Sequence, residues 1–193
     1  FKQALELAEP AAQYAVIASV YNRLGGIYCQ RDQVDRAKEY VQRSLALRER
    51  NGDVVAVART YNNLGLLAWK QGDWDGAQEN FQRSFKLQSN LGDVEGMIEL
   101  RSNMGLLEID RGSLLAARSY LQDALASAQQ IGHTYQVGLA YLHLVLLNQA
   151  EGDWSTLLDN ANLGLEAFQS IGVQEHLVEL WAIMGLAWLG LNH

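Results

Sequence analysis

The histidines and the single cysteine are the side chains of this chain that could hold a metal or perform covalent chemistry. Its four histidines, His133, His143, His176 and His193, show neither the i, i+4 pairing nor the His-Glu-x-x-His spacing of a zinc site. Cys29 stands alone, so it has no partner for an intrachain disulfide. Glycine-rich phosphate loops and nucleophile elbows do not occur either. The sequence therefore predicts no metal, no cofactor and no enzyme activity.

The charge of the chain argues against nucleic acid as a partner. The formal net charge is -7 at pH 7, whereas binding to phosphates needs clustered basic side chains. No run of roughly eighteen apolar residues, the length that spans a bilayer, occurs in the sequence, so no membrane association is predicted. The lone cysteine favours a cytoplasmic location. Because the chain lacks an initiator Met, we expect it to be a fragment of a longer protein.

Regularly spaced glycines indicate the elements that must position the remaining polar residues. They recur every twenty residues, at Gly52, Gly72, Gly92, Gly112, Gly132, Gly152 and Gly172. A glycine just past a helix C-terminus adopts the positive φ that the turn requires, and the Asp or Ser that usually follows can cap the next helix. The spacing predicts antiparallel helices of about seventeen residues, ~25 Å long. Pro10 lies near the place where the series would put a further glycine, and we expect it to end a helix.

A second period, of forty residues, distinguishes two kinds of helix. The first kind contains an internal glycine, at Gly25, Gly65, Gly105 and Gly185. Twelve residues further on, three of the repeats have an alanine, at Ala37, Ala77 and Ala117. Since glycine costs a helix ~1 kcal/mol relative to alanine, we predict that the two helices of a repeat approach closely at these small residues.

Repeat four breaks this pattern twice, with Val145 in place of the glycine and Leu157 in place of the alanine. Two large side chains at one contact predict that its helices, about 134–150 and 154–170, lie toward the wide end of the usual range of roughly 8–10 Å. A bend is then expected around residues 140–165. Gly164 is expected to offset part of the spread by letting the next helix, with Trp181, move in.

The repeat resembles the tetratricopeptide repeat family, whose motif is an aromatic residue, a leucine and a glycine in the first helix, then Gly-Asp, an alanine and an aromatic residue in the second. Repeat two carries the motif most completely, with Tyr61, Leu64, Gly65, Gly72, Asp73, Ala77 and Phe81. A period of forty, where the family usually has about 34, is similar to the longer repeats of kinesin light chains, the LGN/Pins adaptors and bacterial regulatory arrays. The resemblance implies an all-α fold, an α-α superhelix of about ten antiparallel helices with a concave and a convex face.

This frame predicts one solenoid domain over residues 1–193. Residues 1–20 are assigned to the second helix of a partial repeat and a lead-in. Four full repeats follow, at about 21–60, 61–100, 101–140 and 141–180, and residues 181–193 begin another.

In the family the first helices of the repeats line the concave face, and this identifies candidate residues of a binding groove. They lie at fixed positions around the motif glycine: Asn22, Arg23, Arg59, Asn62, Asn63, Leu66, Trp69, Lys70, Asn103, Leu106, His143 and Leu146. The N-terminal half of the groove is predicted to be basic, because Arg23, Arg59 and Lys70 converge there, and the C-terminal half aliphatic. Asn63 and Asn103 occupy the position from which related arrays contact the main chain of an extended peptide, for which a carboxamide has both donor and acceptor.

The resemblance implies a scaffold or adaptor that binds a protein or peptide partner, with Trp69 as an aromatic anchor. Two alternatives stay open: a regulatory sensor domain of a larger bacterial signalling or transcription protein, and a self-association domain. The second of these would form a homo-oligomer through the apolar C-terminal end, where Trp181, Met184 and Trp188 lie on a helix without its repeat partner. His143 faces the groove and is expected to be a half-buried structural histidine rather than a catalytic one.

Overall fold

The computed structural model describes the backbone of residues 2–191 and the side-chain surroundings of residues 13–191. This part of the chain forms α-helices and no strand, which confirms the all-α prediction. In chain order the helices are α1 (Lys2–Gln30), α2 (Val34–Arg50), α3 (Val54–Lys70), α4 (Trp74–Leu91), α5 (Val94–Asp110), α6 (Leu114–Gln130), α7 (Thr134–Glu151), α8 (Trp154–Ser170) and α9 (Leu177–Leu191).

Helix α1 runs through Pro10, so the prediction that this proline ends a helix is wrong. A proline removes one helical hydrogen bond, but its fixed φ near −65° is that of an α-helix. Position 12, which corresponds to the turn glycines of the later repeats, is Ala12, and alanine has the highest helix propensity. One helix of 29 residues therefore replaces two shorter ones, and the described part of the chain has nine helices where about ten were expected.

The turns follow the glycine series. All seven of its glycines have positive φ, between 67° and 77°. The side chains of Asp53, Asp73 and Asp153 each accept the backbone N–H three residues further on, and hydrogen bonds from Thr156 lower the pKa of the Asp153 carboxyl. His133 accepts in the same way through Nδ1, at 3.3 Å from the N–H nitrogen of Gln136. These caps explain why the helices begin where the sequence predicts.

The helices group into two compact units, Phe1–Asp93 and Val94–His193. In the first unit α1 packs against α2, α2 against α3 and α3 against α4. In the second unit each helix packs against the next from α5 to α9, and α5 also contacts α7. Each unit is therefore a stack of antiparallel helix pairs, and the prediction of one domain over the whole chain stays a prediction.

In the first three repeats the two helices approach closely at the motif glycine, as predicted, but the side chain that fills the space is the large residue four positions after the alanine and not the alanine itself. A Cβ added to Gly25 would collide with Val41 of α2, one on Gly65 would lie 2.5 Å from the ring of Phe81, and one on Gly105 would lie 2.6 Å from Leu121. Since a side chain has no room there, glycine is what lets the two helices of each repeat approach.

In repeat four the close approach lies elsewhere on the helices. Val145 and Leu157 are both fully buried and belong to one apolar cluster. Glycines come together nearer the start of α7 instead: a Cβ on Gly138 would lie 2.7 Å from the ring of Phe168, and one on Gly164 would lie 3.7 Å from the carbonyl oxygen of Gly138. The predicted spread of the helix axes and the bend beside it stay predictions.

Helix α9 buries one face and exposes the other. Leu180 is fully buried and lies 3.3 Å from the Cβ position of Gly164. The α9 residue at Gly164 is therefore Leu180, and the predicted inward shift of this helix stays a prediction. Trp181 is 52% exposed, because its side chain lies on the outer face of the helix.

Candidate functional site

The groove residues predicted for the first unit meet at Asn22 of α1 and Asn63 of α3. Asn63 Nδ2 donates a hydrogen bond of 3.0 Å to Asn22 Oδ1, and both residues are half-buried. This bond uses one donor of Asn63 and one acceptor of Asn22. The Asn22 amide group, the second N–H of Asn63 and the Asn63 carbonyl oxygen keep their hydrogen-bonding capacity. The pair therefore presents donors and an acceptor side by side.

An apolar cavity of about 240 Å³ opens beside this pair. Its lining consists of residues from α1, α2 and α3: Asn22, Gly25, Gly26, Cys29, Val41, Asn63, Leu66 and Leu67. The two asparagines contribute the polar side chains of the wall. The structure thus brings together the predicted residues Asn22, Asn63 and Leu66 around a cavity that the sequence reasoning missed. The sequence does contain a sign of this cavity, because Gly26 occupies the position where the next three repeats have Leu66, Leu106 and Leu146.

The charge of Lys70 is countered by a residue outside the predicted groove. Lys70 Nζ lies 3.0 Å from Asp32 Oδ1 and donates to the carbonyl oxygen of Cys29 at 3.2 Å. The hydrogen bond to Asp32 raises the pKa of Lys70. Lys70 therefore binds the C-terminal end of α1, where a cation is favoured, and its contribution to a basic groove is reduced by the ion pair with Asp32.

The two groove arginines of the first unit are exposed. Burial lowers the pKa of Arg48, and the charge of Arg59 lowers it further, so Arg59 lies within electrostatic reach of Arg48. Arg48 itself is held by the carbonyl oxygen of Ala56 at 2.9 Å and the hydroxyl of Thr60 at 2.6 Å. Arg23 and Arg59 are thus exposed cations, whereas Lys70, which is also exposed, is paired with Asp32.

Two further predicted residues take part in packing. Asn62 is only 6% exposed, so it presents little surface to a ligand. Trp69 is half-buried. Both residues lie on the first helix of repeat two, as the period of forty predicts, but packing inside the helix stack buries much of their surface.

The predicted face of the second unit is more apolar and less exposed to solvent than that of the first unit. Asn103, Leu106 and Leu146 are half-buried, and Leu146 packs against the core cluster of α7, α8 and α9. His143 is half-buried, and its Nδ1 is enclosed with no hydrogen-bond partner among the described residues. Burial lowers the pKa of His143 to about 4, and the nearby His176 adds to this effect. His143 is therefore neutral at physiological pH, as expected of a structural histidine.

The outer face of α9 is apolar. Trp181, Leu186, Trp188 and Leu189 are between 52% and 62% exposed, whereas Met184 packs against the core of the second unit. Gly185 has no atom within 4 Å of its Cβ position. The first-helix glycines of repeats one to three meet a partner helix at this position, so α9 presents an open version of the same contact.

Neither a metal centre nor a membrane segment is found within the described residues. No group of three or more His, Cys, Asp or Glu side chains is placed to hold a metal ion there. None of the helices described combines the length and the apolar character that crossing a bilayer requires.

Sequence comparison supports the resemblance inferred from the repeats. A tetratricopeptide repeat family model matches residues 16–90, the segment that contains the asparagine pair and the cavity. Among curated proteins, none matches the chain.

Structural comparison extends the likeness over nearly the whole chain. Aspartyl phosphate phosphatase F from Bacillus subtilis matches with a TM-score of 0.81 and 14% identity, over 90% of this chain and 45% of its own. A Rap protein complexed with Competence and Sporulation Factor matches with a TM-score of 0.75 and 12% identity, over 91% and 51%. A signal transduction ATPase with a tetratricopeptide repeat sensor, from Pyrococcus horikoshii, matches with a TM-score of 0.78 and 16% identity, over 97% and 29%. The chain thus spans about half or less of these proteins, and at such identities the likeness establishes the fold.

Proposed function

We propose that the chain, of which residues 16–90 match a tetratricopeptide repeat family model, is a protein-interaction module that binds an extended peptide segment of a partner on the α1–α3 face. Fold alone does not assign a function, so the proposal rests on one observation: the paired carboxamides of Asn22 and Asn63 beside an apolar cavity. No catalytic role is proposed for this chain.

The asparagine pair suits a peptide main chain. An extended peptide offers N–H and C=O groups that must keep hydrogen-bond partners once they leave water. The pair has N–H groups that can donate to a peptide carbonyl, and the Asn63 carbonyl oxygen can accept a peptide N–H. Turning either amide exchanges donors and acceptors but keeps both kinds present, so the face remains complementary to a main chain.

The accessible charge of this face favours acidic residues in the ligand. Arg23 and Arg59 are exposed, whereas Lys70 is countered by Asp32 at 3.0 Å. Attraction between exposed charges weakens as salt is added. Affinity for a bound peptide should therefore fall with ionic strength, and a preference for basic peptides would contradict the assignment.

The test uses short random peptides displayed on phage and selected against the chain. For a selected peptide, Asn63→Ala is expected to weaken binding by ~1–3 kcal/mol, because a peptide group that leaves water unpaired costs that much. Asn90→Ala is the matched control, since Asn90 is an exposed asparagine of α4. Calorimetry measures the affinities. If Asn63→Ala binds as the wild type does, the ligand site lies elsewhere.

A regulatory sensor function is the second candidate. The Pyrococcus horikoshii relative is described as carrying a tetratricopeptide repeat sensor, and the same face would then bind the effector that a fused domain reads. The domain order of the full-length protein discriminates the two, since a fused nucleotide-binding or DNA-binding domain favours the sensor. The cytoplasmic location and the absence of a nucleic-acid partner remain predictions.

Self-association through α9 is the third candidate, and the exposed face of Trp181, Leu186, Trp188 and Leu189 favours it. A second copy would bury this apolar surface. Sedimentation velocity should then show a dimer that Leu186→Lys together with Leu189→Lys dissociates. A wild-type chain that stays monomeric at high concentration would exclude this candidate.

A further inference from the structure

The cavity beside the asparagine pair owes its space to one missing side chain. Directly after the motif glycine, the next three repeats carry Leu66, Leu106 and Leu146, whereas α1 carries Gly26. A Cβ added to Gly26 would meet no atom within 4 Å. Glycine is therefore not required there for helix packing, unlike the adjacent Gly25, whose Cβ position is occupied by Val41.

Glycine inside a helix weakens the helix relative to alanine. At Gly25 the close approach of α2 explains this cost, but at Gly26 no neighbour does. What Gly26 does provide is volume, since it contributes to the lining of a cavity of about 240 Å³. The residue type at position 26 is thus accounted for by the cavity rather than by the fold.

We propose that this cavity receives a single apolar side chain of the bound peptide, branched aliphatic or aromatic, and that Gly26 determines this specificity. The inference rests on the proposed function and specifies its ligand. An apolar protein cavity of roughly 150 Å³ is enough to hold benzene, so 240 Å³ accommodates a Leu or Phe side chain.

The lining selects against charge. Val41, Leu66 and Leu67 supply apolar walls, Cys29 adds a weakly polar thiol, and no charged side chain among the described residues borders the space. A charged ligand group would lose its water there without gaining a partner. Arg23 and Arg59 are exposed outside this lining, so acidic residues of the ligand are expected beside the apolar anchor and not within the cavity.

The asparagine pair fixes the register of the anchor. Asn22 and Asn63 border the same cavity, so a main chain hydrogen-bonded to them places one of its side chains over the opening. In an extended peptide the neighbouring side chains point to the opposite side. Selected peptides should therefore share one apolar position flanked by residues of variable type.

The test compares Gly26→Leu, which fills the cavity, with Gly26→Ala, which leaves most of it open. Both replacements raise helix propensity, and the Cβ that they share meets no atom within 4 Å, so both variants are expected to fold, which circular dichroism checks. For phage-selected peptides with the apolar position, Gly26→Leu should weaken binding about 10- to 100-fold, the value of burying one such side chain. Gly26→Ala should change the affinity by less than about threefold.

Alkylation of Cys29 gives a second readout, because it is the single cysteine of the chain and lines the cavity. Peptide that occupies the cavity should slow the reaction of Cys29 with iodoacetamide. The cavity inference is overturned if Gly26→Leu binds peptide as the wild type does and bound peptide leaves Cys29 reactive. The proposed function still stands in that case if Asn63→Ala weakens binding. Peptides that bind all of these variants equally would overturn the cavity inference and the proposed function together.

Discussion

The helix pairs α3–α4 and α7–α8 occupy equivalent places in the repeat but distribute side-chain volume differently along their contact. In α3–α4, Gly65 faces the ring of Phe81. In α7–α8 the equivalent positions hold Val145 and Ala161, both fully buried. The large and the small residue have thus exchanged helices.

Nearer the start of the first helix the two pairs differ again. In α3–α4 the buried Ser84 donates to the carbonyl oxygen of Ala58 at 2.7 Å. The equivalent positions in α7–α8 are Gly164 and Gly138, and the ring of Phe168 occupies the space where Gly138 would carry a side chain. A hydrogen-bonded contact in one pair is therefore a glycine and aromatic contact in the other.

In both pairs an aromatic ring lies opposite a glycine of the first helix. The two residues occupy different positions along the helices in the two pairs, but they occur together in each. An aromatic ring buries a large surface but needs a facing residue that leaves it room. Val145 and Leu157 lie in the same buried cluster as Phe168, whose ring faces Gly138. The expectation of a wider axis separation considered Val145 and Leu157 alone, and it stays a prediction.

The largest expected effect tests whether Phe168 is the counterpart of Phe81. Both rings are fully buried, and replacing either by alanine should lower the free energy of unfolding by ~3–5 kcal/mol through lost burial and a cavity. Guanidinium unfolding followed by circular dichroism measures this, with the exposed Leu115 mutated to alanine as control. A loss below ~1 kcal/mol for Phe168→Ala would break the comparison.

A second prediction compares His143 with Asn63 and Asn103, which hold its position in the two preceding repeats. The pKa of His143 in the folded protein is about 4, where the ordinary value is 6.5. Between these values the unfolded chain binds more protons, so stability is lost as the pH falls from 6.5 to 4. His143→Asn removes this contribution. Between about pH 7 and pH 4.5, we expect the variant to lose about 2 kcal/mol less of its unfolding free energy than the wild type. Equal losses would show that His143 is protonated freely in the folded state.

The smallest expected effect concerns the serine contact that α7–α8 lacks. Ser84 and its counterpart Ser44 are fully buried and donate to the carbonyl oxygens of Ala58 and Ala18, each at 2.7 Å. Replacing either by alanine should cost about 1 kcal/mol, the usual net value of a hydrogen bond. Thermal or chemical unfolding gives the difference, and a gain in stability for both variants would mean that these bonds do not contribute to helix pairing.

The sequence predicted which residues lie together where that prediction needed only the repeat frame. The frame brought Asn22, Asn63 and Leu66 onto one face, because residues forty or so apart in a solenoid lie on adjacent helices of the same kind. It failed to predict the ion pair of Lys70 with Asp32 and the burial of Asn62. Both outcomes depend on which neighbouring side chains reach across the helix gap, and a periodic pattern does not contain that information.

By itself, the sequence determined the features that depend on local geometry. Helix lengths, capped starts and turns at positive φ follow from glycines and acidic residues at fixed spacing, because capping bonds and φ preferences involve residues at most a few positions apart. The close approach at the glycine of the first three repeats was also predictable, since each glycine recurs with an alanine twelve residues on, although the side chain that it faces is the residue four positions after that alanine. Tertiary structure alone decided where the aromatic ring of repeat four lies, that Gly26 leaves a cavity beside the asparagine pair, and that Lys70 is ion-paired. These depend on volume and charge contributed by several helices at once, and close packing makes each side chain's place a property of all its neighbours.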